Sequence, residues 1–174
     1  MACTQCGVER ECGSLTPAAD PGPLPALRCQ LQTTFGGVDA PDAEKGNCFS
    51  AALASLLAVP LSTVPNFMTA GPGGEWYVAA NEWLLARGLV LCCFECDPFG
   101  ALPERAYRNA PLIASGMGPR GHRHSVLWLA GELLHDPHPS GAGLVGEPDV
   151  YDVLAVVDID AAARFIACAR SGRG

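Results

Sequence analysis

Apolar residues recur at helical spacing in the first half of the chain and in short extended runs in the second, and this order constrains the fold more than any other feature. Between Cys48 and Val59, Ala52, Leu53, Leu56 and Leu57 fall 3, 4, 7 and 8 positions after Phe49, the spacing of one buried helix face. Asn47 is the N-cap candidate, because its side-chain oxygen can accept from a first-turn amide, and Pro60 ends the helix. PLSTVPNF then reads as a short turn or a single helical turn. A second helix is predicted over Glu75 to Arg87, with Trp76, Ala79, Ala80, Trp83 and Leu84 on one stripe and Gly88 at C′. The pattern then changes to strands at Leu89–Cys96, Pro111–Ser115, His124–Ala130, Leu133–Asp136 and Tyr151–Val157. Asp158 and Asp160 are cap candidates for a last helix at about Ala161 to Ala169. Cys29 to Phe35, CQLQTTF, also has extended-strand character. Helices first and an antiparallel sheet second make an α+β arrangement.

Twenty Gly and 15 Pro in 174 residues exclude a long coiled coil or simple bundle, since both residue types interrupt helices. With 49% hydrophobic and 17% charged residues, the chain can fill one core. Residues 1–27, which carry three cysteines and then a Pro-rich stretch, read as an appendage and linker. The main domain is expected over 28–170, followed by a frayed tail at 171–174. The net charge of −7, with no Lys or Arg cluster to offset it, argues against nucleic acid or an anionic membrane as partner. The uncharged stretch Gly46 to Gly74 is broken by Asn47, Pro60, Pro65 and Asn66, so no membrane span is expected. The N-terminus lacks a secretory pattern, and a cytoplasmic location is the expectation. The Gly-rich pieces GPGG and GMGPRG lack the GK[ST] of a phosphate loop.

Nine cysteines without an export signal point to thiols, a metal site or a nucleophile rather than a disulfide framework. Cys48 has the best position, because the first turn of a helix favours a thiolate. A cysteine nucleophile needs an imidazole, and His124 opens the apolar strand HSVLWLA after a Gly-rich loop. His122 is the alternative base. Asp136, in HDPHP, is the candidate to orient the ring. The hairpin register decides whether it can. A two-residue Gly131-Glu132 loop puts His135 on the face of His124. A three-residue loop, Ala130 to Glu132, or an equivalent bulge, puts Asp136 there instead and His135 on the other side. The second arrangement is expected, since a carboxylate is the better partner for an imidazolium. His135 and His138 then belong to a structural turn, and PSGAGL to a plain loop.

QTTFG, GNCFSAALASLLAVPLSTVPNF and RGHRHSVLWLAGELLHDPHPSGAGL together resemble small papain-like cysteine peptidase homologues of bacteria and their phages, which in turn look like the leader peptidases of bacteriocin exporters. The resemblance spans roughly residues 30 to 157. It implies a papain-like fold, N-terminal helices packed on an antiparallel sheet, with Gln32 as oxyanion donor, Cys48 as nucleophile, His124 as base and Asp136 as orienter. Gln32 lies 16 residues before Cys48, so the loop between them must fold back or Gln30 must serve instead. The expected activity is that of a thiol hydrolase, a peptidase or amidase, working on a peptide or amide substrate through an acyl-enzyme, with no cofactor required. An acyltransferase would use the same triad. The competing class is a non-enzymatic interaction module in which Cys3 and Cys6, a CxxC, join Cys12 and Cys29 around a structural zinc. Cys93 and Cys96 form a second CxxC, in a strand-like run where thiols are usually inert.

Overall fold

The computed structural model describes residues 28–37, 39–71, 74–95 and 110–171. Helix α1 (Cys48–Leu57) is followed by single 3-10 turns at Leu61–Thr63 and Phe67–Thr69, then by α2 (Glu75–Leu85). Five strands come next: β1 (Leu89–Phe94), β2 (Leu112–Met117), β3 (Arg123–Leu129), β4 (Glu132–His135) and β5 (Val150–Val156). Helix α3 (Ile159–Arg170) closes the described chain. The strands form one antiparallel sheet in the order β1-β5-β2-β3-β4. The architecture is therefore α+β, as the periodicities predict. Among the described residues no single helix is long and apolar enough to cross a membrane.

The sequence predicts one buried face for α1, and the helix is instead buried almost all round. Phe49, Leu53 and Leu57 lie in the main core, while Ala51, Ala52 and Ala54 are shut off from solvent as well. Small side chains on the remaining faces let neighbours approach closely, and the two buried hydroxyls are satisfied: Ser50 Oγ donates to Pro65 O and Ser55 Oγ to Ala51 O. The helix stops before Pro60 is reached. Ala58 adopts a left-handed conformation, φ 54°, and Val59 N donates back to Ala54 O, a C-terminal cap made without glycine. At the other helix ends Gly88 takes φ +74° beyond α2, and Asp158 accepts from Ala161 N to start α3 two residues earlier than expected.

The main core lies between the helices and the sheet face carrying Leu89, Leu91, Ile113 and Leu127. A smaller cluster on the opposite face joins Leu112, Ala114, Val126 and Tyr151 with Trp128 and Leu144. Edge strand β1 is covered by side chains of α2: Leu91 N donates to Asn81 Oδ1 at 2.8 Å, and Tyr77 Oη donates to Leu91 O at 3.1 Å. That covering removes part of an otherwise open pairing edge.

Two predicted elements differ. The run Cys29 to Phe35 forms no strand; its neighbourhood holds only an isolated bridge, Gly36 to Lys45. Its backbone groups are taken singly by side chains of α1 and by loops, which leaves no ladder. The β3–β4 hairpin uses neither loop considered above. Leu129 pairs with Glu132 across a two-residue turn, Ala130 and Gly131, with φ of 53° and 87°, values that suit the twist of a hairpin. The register then shifts: Trp128 faces Leu133, but Leu127 faces His135, so Leu134 is one residue too many.

Candidate active site

The extra residue in β4 determines which side chain meets His124. In an unbroken register the side-chain alternation would carry Asp136 to the face opposite His124. The bulge at Leu134 reverses that parity and brings Asp136 round to the imidazole. His124 Nε2 and Asp136 Oδ1 lie 2.7 Å apart, and both residues are buried. The equivalent bulge expected from the sequence is thus the arrangement found. His135 goes to the other side, with its Nε2 3.0 Å from Gln30 O.

Asp136 is held from three directions. Besides the ring, His138 N donates to Oδ1 at 2.7 Å and Gly143 N to Oδ2 at 2.8 Å. Burial pushes the carboxyl up, but the His124 bond and these two amides outweigh it and keep Asp136 below the usual carboxylate range. PSGAGL is therefore more than the plain loop expected, since Gly143, at φ +66°, turns its amide onto the carboxylate. The His138 ring stands edge-on to Phe35 and, at 6.3 Å between centroids, to His124. Its Nδ1 is engaged with Ser140 Oγ at 2.7 Å.

Asp136 occupies Nε2 of His124, which leaves Nδ1 for the thiol. Burial raises the Cys48 thiol, yet the hydrogen bond and charge of His124, with the amides of Ser125 and Phe49, bring it below its ordinary value. For His124, burial favours the neutral ring, and the interactions with Cys48 and then Asp136 overturn that effect and raise it. Thiol, imidazole and carboxyl therefore form one linked series, its ends on α1 and on the turn after β4. His122, the alternative base, is exposed and packs against the backbone of Gly37.

Gln32 is brought to the same corner because the intervening loop folds back. Gly36 N donates to Glu44 O and Gly46 N to Gly36 O, both at 2.8 Å. Gln32 N then donates to Pro137 O at 2.9 Å, next to Asp136. Its Nε2 donates to Thr34 O at 2.9 Å, while Oε1 is buried without a hydrogen-bond partner. Gln30 is committed elsewhere: its backbone N donates to Ser55 Oγ in the last turn of α1, and its Oε1 accepts from Leu61 N beyond the helix, both away from Cys48. Asn47 occupies the N-cap position of α1, but its side chain makes no cap bond and turns instead to Thr33 and Thr34. Sequence inspection assigns Asn47 to the cap because the residue type and position are those of a cap. Only the folded-back loop shows its other use.

Cys29, Cys48, Cys92 and Cys93 are free thiols. Cys3, Cys6, Cys12 and Cys96 lie outside the described residues, and among the described residues no group of three or more His, Cys, Asp or Glu side chains could hold a metal ion. Comparison with protein-family models, with curated proteins and with solved structures finds no match for the chain.

Proposed function

We propose that the protein is a papain-like thiol hydrolase acting on an amide or related acyl bond of a peptide or small amide. The observation that supports this most is the placement of one buried imidazole between a thiol it acidifies and a carboxylate held by three donors. A structural cysteine at a helix start has no need of such a partner. In the proposed reaction the Cys48 thiolate adds to the substrate carbonyl, and the Cys48 amide with a Gln32 Nε2 hydrogen takes the negative charge that develops on oxygen. His124 delivers its proton to the leaving amine as the C–N bond breaks, which leaves a thioester. Water, deprotonated by the now neutral ring, then cleaves the thioester and restores the thiolate–imidazolium pair. Asp136 holds the ring with Nδ1 toward sulfur and stabilises its charged form.

The test is the rate of iodoacetamide modification at pH 6, followed peptide by peptide. Cys48 should react on the order of 100 times faster than exposed Cys29 or Cys168, because a thiolate is the attacking species and the pairing with His124 populates it at Cys48. His124→Ala should abolish the advantage. Equal labelling of Cys48 and the exposed thiols would overturn the assignment.

A further inference from the structure

An N-cap side chain ordinarily accepts from the amide two or three residues into its helix. Asn47 does not. Its Oδ1 accepts from Thr33 N at 2.9 Å and Thr34 N at 3.2 Å, its Nδ2 donates to Thr33 Oγ1 at 3.0 Å, and its backbone N donates to Thr34 O at 3.3 Å. The residue is only 7% exposed. Two consequences meet at Cys48. The Phe49 amide, which a capping Asn would take, is left to the sulfur. The segment just after Gln32 is fastened to the residue just before the nucleophile, while Gln32 N is fastened to Pro137 O on the Asp136 turn. Gln32 Nε2 spends one hydrogen on Thr34 O, so the amide plane is set by a residue that Asn47 itself holds. A primary amide carries a second hydrogen.

We infer that Asn47 is a positioning residue of the oxyanion site: it fixes the Gln32 amide relative to the Cys48 sulfur across the 33–47 loop. The inference rests on the thiol-hydrolase function proposed above, and two reagents separate the one from the other. Iodoacetamide alkylates by displacement, in which the C–S bond forms as the C–I bond breaks and no oxyanion arises. p-Nitrophenyl acetate acylates through a tetrahedral oxyanion that expels nitrophenolate. The ratio of acylation to alkylation at Cys48 therefore reports the oxyanion site and cancels the thiolate population.

Asn47→Ala should leave alkylation within about twofold and lower the ratio about tenfold, the scale of a misplaced or missing oxyanion donor toward an activated ester. Gln32→Ala should lower the ratio similarly. In the Gln32→Ala background, Asn47→Ala should then do nothing more, because its effect passes through the amide already removed. Thr33→Val, at an exposed position, removes only the acceptor of Asn47 Nδ2 and should reduce the ratio two- to threefold, which keeps the test open if Asn47→Ala does not fold. An unchanged ratio in Asn47→Ala and Thr33→Val, or a full second loss in the double variant, overturns the inference while fast alkylation leaves the hydrolase proposal standing. Slow alkylation of Cys48 in the parent would remove both.

Discussion

Asp136 and Asp152 are both nearly sealed from solvent, 8% and 1% exposed, and they belong to the same sheet, yet their surroundings drive them in opposite directions. Asp152 lies in the unbroken part of the sheet, with Cys93 of β1 on one side and Ile113 of β2 on the other. It shares a face with Leu154 and Ile113, which pack toward the helices. Burial raises its carboxyl to about 6, only partly offset by Tyr77 and Cys93, and Oδ1 has no hydrogen-bond partner. Asp136 lies just beyond a bulge, where the chain leaves the sheet and the amides of His138 and Gly143 converge on it. A regular ladder spends its amides on neighbouring strands, so an acid on its inner face meets mainly side chains. A bulge followed by a tight turn releases amides and aims them.

The sharpest way to break this contrast is Asp136→Ala. The substitution leaves the β3–β4 register as it is and His124 without its carboxylate. The expected cost is that of parting a buried charged pair, about 3–5 kcal/mol in unfolding free energy, with fast Cys48 labelling lost as in His124→Ala. Retained fast labelling would show that the carboxylate the bulge brings round is not what sustains the thiolate.

That dependence also explains what the sequence discloses and what it does not. Cys48 and His124 are recognisable because a thiol at a helix start and an imidazole at a strand start are local features. Asp136 depends on parity, which Leu134 reverses; the need of an imidazole for a carboxylate motivates a bulge, but nothing about a leucine in ELLHDP announces where it falls. The non-strand at 29–35 has the same origin: its composition suits a strand, but Asn47 and Ser55 take its amides. Asp152 was within reach of the sequence, since it falls in step with Leu154 in an alternating apolar strand, yet strand periodicity alone does not identify which face is sealed.

A smaller effect, of opposite sign at the two acids, sharpens the comparison. Asp152 has its folded value raised from 3.8 to about 6, so folding favours its protonated form. That contribution is fully present below the unfolded value and is lost as pH rises toward the folded one. At about 1.4 kcal/mol per pH unit, this amounts to about 3 kcal/mol. Asp152→Asn, which keeps the shape without the charge, should match the parent near pH 4 and exceed it by about 2–3 kcal/mol at pH 8 in urea unfolding. Asp136 has its folded value lowered, so its contribution is present above the unfolded value and disappears as pH falls through the folded one. Asp136→Asn should therefore be weakest relative to the parent at neutral pH, with the deficit closing in acid. Parallel profiles for the two variants would contradict the contrast.

The smallest effect concerns Tyr77, which touches both the edge of the sheet and the unsettled acid. Its hydroxyl has one hydrogen, and at 3.1 Å that hydrogen goes to Leu91 O. Any donation to an ionised Asp152 must come at the expense of Leu91, whereas a protonated Asp152 can donate to the tyrosine oxygen and leave the Leu91 bond intact. Tyr77→Phe should therefore cost about 1 kcal/mol at pH 5, the net worth of an ordinary hydrogen bond on a partly covered strand edge. At pH 8 the loss should be larger, because the carboxylate then also lacks the hydroxyl that partly offsets its burial. The same substitution should carry the upper end of the pH range over which stability declines above about 6. Urea unfolding of parent and variant at the two pH values separates the possibilities: a greater loss at pH 8 means the hydroxyl is shared with Asp152. Equal losses would mean that it serves Leu91 alone, and that Asp152 meets its burial without the tyrosine.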